Sequence, residues 1–234
     1  MVNPDPTASC PLEWGKLNVG SHPDEPPLPE DDPTVGIRMN HCMLRVRDPK
    51  KSLFFYKNLL GMRTIFTINA GPITTYYLTH PQTTEHRADL AKFSRETALR
   101  TQFTSGLLEL MHVHGSEKQP EGYYTGTGNV VPALGFGHLG FTVPDVKATV
   151  ARLEEHGVKV FKPLGVSDRA TLPITSWETE KGVGLGDEDG LAPEFNRIVK
   201  SFVHVFDPDG YIIEIIPQKR DWHEKSVNAQ LSNA

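Results

Sequence analysis

At 234 residues and 26.0 kDa, with 38% hydrophobic and 23% charged residues, the chain has the composition of a soluble globular protein of one large domain or two small ones. A net charge of -5 and a pI near 6.1 offer no basic face for a phosphate backbone or an anionic lipid surface, so neither nucleic acid nor a membrane is expected as partner. No stretch approaches the length of a bilayer span, residues 1–36 lack the apolar core of a secretory signal, and two cysteines, Cys10 and Cys42, make no disulfide framework; a reducing, cytoplasmic compartment is expected.

The first 36 residues hold eight of the nineteen prolines and many acidic side chains, a composition that cannot pack a core alone. Leu12, Trp14 and Leu17 are the side chains with which such an arm would wrap a neighbouring subunit, and a disordered tail is the other reading. From Asn40 a strand pattern begins, NHCMLRV, followed by Asp48 as N-cap, Pro49 in the first helical position and Gly61 as the stop. Further on, GLLELMHVH (106–114) reads as a strand with Glu109 between leucines.

The pattern then recurs. In GHLGFTVPDVKATVARLEEHGV (137–158) Asp145 is the N-cap, Val146, Val150 and Leu153 share one helix side, and Gly157 is the stop. His138 follows His41 by 97 residues, and Asp145 follows Asp48 by the same interval. Residues 164–200, rich in Gly, Pro and acidic side chains but holding Leu172, Ile174, Trp177, Leu191 and Phe195, read as a long inserted loop, either a lid or a surface excursion. The second copy closes with FDPDGYIIEIIPQ (206–218): a turn set by Pro208 and Gly210, then a buried strand with Glu214 in its middle.

A carboxylate buried in an apolar strand must be compensated or protonated. Each copy supplies one strand His and one strand Glu, and the four become intelligible together if they surround one divalent cation. Imidazole and carboxylate donors suit Zn, Ni, Co, Mn or Fe. His112 and His114 alternate with Glu109 and should face away from that site, as Cys42 should from His41.

On the stretches HCMLRVRDPKKSLFFYKNLLGM, LLELMH, GFGHLGFTVPDV and DPDGYIIEI, residues 39–217 resemble the glyoxalase I (lactoylglutathione lyase) family of the vicinal oxygen chelate superfamily. The resemblance implies an α+β fold of two tandem βαβββ modules, forming a curved open eight-stranded mixed sheet around a metal. It divides the chain into an arm (1–36), a first module (37–130), a second module (131–218) with the insertion at 164–200, and a polar tail (219–234). It places one divalent metal, Zn, Ni or Co, on His41, Glu109, His138 and Glu214, with glutathione as possible cosubstrate. It also implies a homodimer with sites at the subunit interface. The implied reaction converts a 2-oxoaldehyde–glutathione hemithioacetal to a 2-hydroxyacyl thioester by enediolate proton transfer, with Glu214 as base and Glu109 as its counterpart.

Among implied substrate contacts, Arg45 matches a family arginine and Lys162 approximately matches a family lysine. Two positions depart: Val113 replaces an amide and Leu134 an arginine, and the insertion with Trp177 has no counterpart of its length. These departures keep open a glutathione-independent isomerase or lyase acting on a bulkier oxygenated metabolite. An extradiol-type dioxygenase or a small-molecule binding protein fits less well, because both glutamates are retained.

Overall fold

The computed structural model describes residues 27–124, 128–131, 133–172, 174–184 and 192–219. The arm through residue 26, including Leu12, Trp14 and Leu17, and the tail from 220 lie outside them, as does Leu191. The described residues form two compact units: one runs to Tyr124 and includes Asp207–Gly210, the other takes Gly128 to Phe206 and Tyr211 to Lys219.

In the first unit, strand β1 (His41–Val46) leads into helix α1 (Pro49–Leu53), then β2 (Arg63–Asn69) and β3 (Ile73–Thr79). Two short helices follow, α2 (Thr84–Ala88) and α3 (Leu90–Leu99), and β4 (Leu107–Val113) ends the module. Asp48 caps α1 by accepting from Lys50 N at 2.9 Å, Pro49 occupies the first turn, and Gly61 takes φ 79°, all as the sequence indicates. Between them the helix widens into a π-helical turn (Phe54–Leu59), which turns Phe55, Tyr56 and Leu59 into the core. The sheet order is β1-β4-β3-β2, with β1 and β4 parallel and the other pairs antiparallel, so the module reads βαβββ. Against one sheet face, Phe93 of α3 packs with Ile65 and Leu107.

The second unit repeats the plan: β5 (Leu139–Val143), α4 (Val146–Glu155), β6 (Val160–Lys162), β7 (Val203–Phe206) and β8 (Ile212–Pro217), in sheet order β5-β8-β7-β6. Asp145 caps α4 through Ala148 N at 3.0 Å, Val146 and Leu153 are buried, and Gly157 takes φ 75°. Among the described residues, eight strands thus stand as two four-stranded mixed sheets.

Where the sequence reads as an irregular excursion, the described part of 164–200 contains α5 (Ser176–Glu180) and α6 (Pro193–Lys200). Thr175 and Glu178 form a reciprocal capping box on α5, and Pro193 opens α6. The base of the insertion is closed by Gly165 N donating to Lys200 O at 3.0 Å and Ser167 Oγ to Asn196 Oδ1 at 2.6 Å. Among the described residues, no helix is long and apolar enough to cross a membrane.

The turn Asp207–Gly210 closes as the sequence indicates, Gly210 N donating to Asp207 O at 3.1 Å with φ 87° at Gly210. Its two carboxylates are satisfied inside the first unit: Tyr56 Oη donates to Asp207 Oδ2 at 2.8 Å, Ser52 Oγ to Asp209 Oδ2 at 3.0 Å, and Arg47 N to Asp209 Oδ1 at 2.9 Å. Burial pushes the Asp209 carboxyl up despite the donors from Arg47 and Ser52. Removing a donor from a buried carboxylate leaves desolvation uncompensated, so Tyr56→Phe is expected to lower the unfolding free energy by about 1–3 kcal/mol in urea titration. Unchanged stability would show that the Tyr56–Asp207 bond is dispensable.

Candidate metal centre

In each module the functional pair is assembled by sheet register. Parallel pairing sets Met43 beside Glu109, and antiparallel pairing sets Tyr77 on its other side, with Phe66 beyond Tyr77. His41 opens β1 on the same strand face as Met43. His41 Nε2 thereby lies 3.4 Å from Glu109 Oε2, while Tyr77 Oη donates to that same Oε2 at 2.6 Å. Phe66 stacks on Tyr77 at 4.5 Å, and Asn40 Oδ1 lies 3.0 Å from His41 Nδ1.

The second module reproduces the row with other side chains. Glu214 stands between Gly140 and His204, and Lys162 beyond His204. His138, immediately before β5, places Nε2 3.4 Å from Glu214 Oε2. The carboxylate side chains are 14% and 15% exposed and the imidazoles 39% and 37%, so the two pairs share environment as well as distance. His204 is buried, its Nε2 3.8 Å from Glu214 Oε1 and neither ring nitrogen hydrogen-bonded; Phe161 stacks on it and Phe202 tilts against it.

These contacts set the electrostatics. Burial alone would push the Glu214 carboxyl up, but the adjacent imidazoles of His138 and His204 outweigh it and bring it down to about 2. The bond to Glu214 raises His138, against the opposing effect of burial. Burial, the Glu109 hydrogen bond and the Glu109 charge push Tyr77 up to about 12, which keeps its hydroxyl a donor. Burial lowers Lys162 to about 8 against the attraction of Glu214 and Asp168.

The donor set fits a divalent cation. Imidazole nitrogen and carboxylate oxygen, each about 2.1 Å from one ion at a tetrahedral angle, stand about 3.4 Å apart, which matches both pairs. Among the described residues, no three His, Cys, Asp or Glu side chains converge as a metal cluster; each unit holds one His–Glu pair at this spacing.

Residues 38–215 match the family described as the Glyoxalase/Bleomycin resistance protein/Dioxygenase superfamily. The chain belongs to that family. It is 34% identical over 179 residues to a lactoylglutathione lyase of Pseudomonas aeruginosa, covering 76% of this chain and 80% of that one. It is 29% identical over 196 residues to glyoxalase I of Saccharomyces cerevisiae and 30% over 185 residues to a lactoylglutathione lyase of Schizosaccharomyces pombe. These alignments take in 83% and 78% of this chain but only 48% and 46% of the two yeast relatives, about half their length. A solved trypanothione-dependent glyoxalase I of Leishmania major superposes with TM-score 0.48 at 22% identity, over 84% of this chain and 98% of that one.

The other expected residues fall as follows. Arg45 is exposed on β1 and Val113 ends β4, both in the first unit. In the second unit Leu134 is half-exposed, and Trp177 is exposed on α5 with Lys181 Nζ 4.8 Å above its ring. Lys162 is fully buried, its Nζ donating to Phe202 O at 2.6 Å and Pro163 O at 3.3 Å. His112 and His114 do turn to other partners, Glu117 at 2.9 Å and Thr74 at 2.8 Å. Cys42 is half-buried, and burial pushes its thiol up.

Sequence reasoning missed Tyr77, and it missed a cavity of about 380 Å³ beside His41 whose walls include Arg38, Phe66, Ile68 and Gln102. In the metal-free protein the His138 proton should be lost above the ordinary histidine pH of about 6.5. Its contribution to stability is then fully present below that pH and fades as pH rises through the raised value. NMR titration of the His138 ring should show this, and Glu214→Gln should return it toward the ordinary range; a ring that titrates alike in both proteins would refute the pairing.

Proposed function

We propose that this chain is a metal-dependent glyoxalase I that isomerises the hemithioacetal of a 2-oxoaldehyde and glutathione to a 2-hydroxyacyl thioester. The duplicated His–Glu pair of equal geometry carries the reading, in a chain akin to lactoylglutathione lyases. His41, Glu109, His138 and Glu214 are assigned to one cation, Zn, Ni or Co, with Mn and Fe compatible. When bound, it would supply Lewis-acid stabilisation of the negative charge that grows on the substrate oxygens as a proton leaves carbon. The assembly read from the family resemblance is a homodimer with shared sites, working in the cytoplasm.

The two carboxylates divide the work. Tyr77 already holds Glu109 Oε2 at 2.6 Å, whereas His204 Nε2 lies 3.8 Å from Glu214 Oε1, beyond hydrogen-bond distance. Glu214, ionised at neutral pH, takes the proton from C1 and delivers it to C2, with Glu109 on the opposite side. Exclusion of water keeps that proton in the site. Because protons compete for His138, metal affinity falls as pH falls, beginning above the pH of an ordinary histidine.

The placement of Lys162 favours a second reading, a glutathione-independent isomerase or lyase for a bulkier oxygenated metabolite. Its ammonium is engaged by main-chain carbonyls, and Val113 and Leu134 offer no polar group to a glutathione carboxylate or amide. Arg45 remains as the glutathione contact, and the insertion with Trp177 supplies apolar surface. Two absent polar contacts at about 1.5–3 kcal/mol each weaken glutathione binding by about two to four orders of magnitude.

Metal-reconstituted protein supplied with methylglyoxal and glutathione decides between them. Thioester formation is expected, with Glu214→Gln reducing kcat by about 10²–10⁴-fold. Val113→Asn with Leu134→Arg should tighten glutathione in calorimetry. No turnover with Zn, Ni or Co would overturn the glyoxalase reading in favour of the second.

A further inference from the structure

Asn40, the residue before His41, makes three side-chain hydrogen bonds. Its Nδ2 donates to the main-chain carbonyls of Thr101 at 2.6 Å and Thr104 at 3.2 Å, and its Oδ1 lies 3.0 Å from His41 Nδ1. A carbonyl oxygen only accepts, so the two main-chain partners settle which end of the amide is the NH₂. The atom facing the imidazole is therefore the amide oxygen, which also only accepts. Nδ1 must carry the hydrogen, and in the neutral ring the lone pair is left on Nε2, the atom 3.4 Å from Glu109 Oε2.

We infer that Asn40 is a positioning residue for metal binding: anchored to the 101–104 segment, it holds His41 as the Nδ1–H tautomer and directs the Nε2 lone pair to the cation. The inference rests on the reading of His41 as a ligand. A free neutral imidazole in water favours the Nε2–H form, which has no lone pair on the ligating atom, and nothing restrains its ring rotation. An acceptor fixed behind Nδ1 removes both obstacles before the ion arrives.

The anchor comes from 61 and 64 residues further along the chain, so this ligand's setting depends on how the segment after α3 packs rather than on β1 alone. Asn40 and Thr101 also line the cavity beside His41, which puts the clamp in contact with whatever fills it. The second half-site cannot use the preceding residue in this way, because Gly137 precedes His138 and brings no side chain. The two halves therefore match in distance but differ in preparation.

Long-range ¹H–¹⁵N correlation of the histidine rings in metal-free protein at pH 8 reads the tautomer directly. His41 is expected as Nδ1–H in the wild type and to move toward Nε2–H in Asn40→Leu, with zinc affinity in calorimetry falling by about 10–100-fold. An Nε2–H His41 in the wild type would overturn the inference without recourse to any variant. So would an Asn40→Leu protein that keeps both the Nδ1–H form and the wild-type zinc affinity. Neither readout involves substrate: an Nδ1–H His41 in a protein inactive on the hemithioacetal would leave this inference standing and remove the glyoxalase assignment.

Discussion

A carboxylate in the middle of an apolar strand is the constraint from which the rest follows. Glu109 and Glu214 are each flanked by buried leucines or isoleucines, and neither belongs there on hydrophobic grounds. Leaving such a group uncompensated costs several kcal/mol. Both modules bring an imidazole to 3.4 Å from that carboxylate by parallel pairing of the first and last strands. The βαβββ order makes this possible, since the helical crossover lets the outer two strands of the sequence lie side by side.

Beyond the repeat, the modules diverge where it matters chemically. The antiparallel neighbour of the glutamate is Tyr77 in one and His204 in the other, and the next position outward is Phe66 in one and Lys162 in the other. The tyrosine occupies one Glu109 oxygen with a strong donor, whereas His204 sits between aromatic rings with its nitrogens unsatisfied. Among the described residues that buried imidazole has no hydrogen-bond partner, and such a group calls for an explanation other than packing. One carboxylate thus accepts from a tyrosine hydroxyl where the other has an imidazole 3.8 Å away.

Much of this was legible in the sequence. Asp48, Asp145, Gly61 and Gly157 mark helix ends through local hydrogen bonding and φ preference, and the Asp207–Gly210 turn is written in its own residues. The His–Glu repeat stands out because it violates the burial pattern around it. What could not be read depends on pairing between distant segments. Tyr77 is one of several polar residues in ITTYYLT until register sets it against Glu109, and Asn40 looks like a loop residue until Thr101 and Thr104 supply its anchors. Lys162 reads as a ligand-facing cation from sequence, but its strand turns it inward against Phe202. The capping box on α5 and Pro193 in the first turn of α6 were visible signals inside a stretch whose Gly and acidic content pointed to loop.

The central claim is that two equivalent His–Glu pairs serve one ion. X-ray absorption of the cobalt-loaded protein, alongside metal content per chain, tests it most directly. One cobalt per chain with two imidazoles in its first shell, one of them lost in His41→Ala and one in His138→Ala, is the predicted result. A spectrum that either substitution leaves unchanged, or two ions per chain, would contradict it.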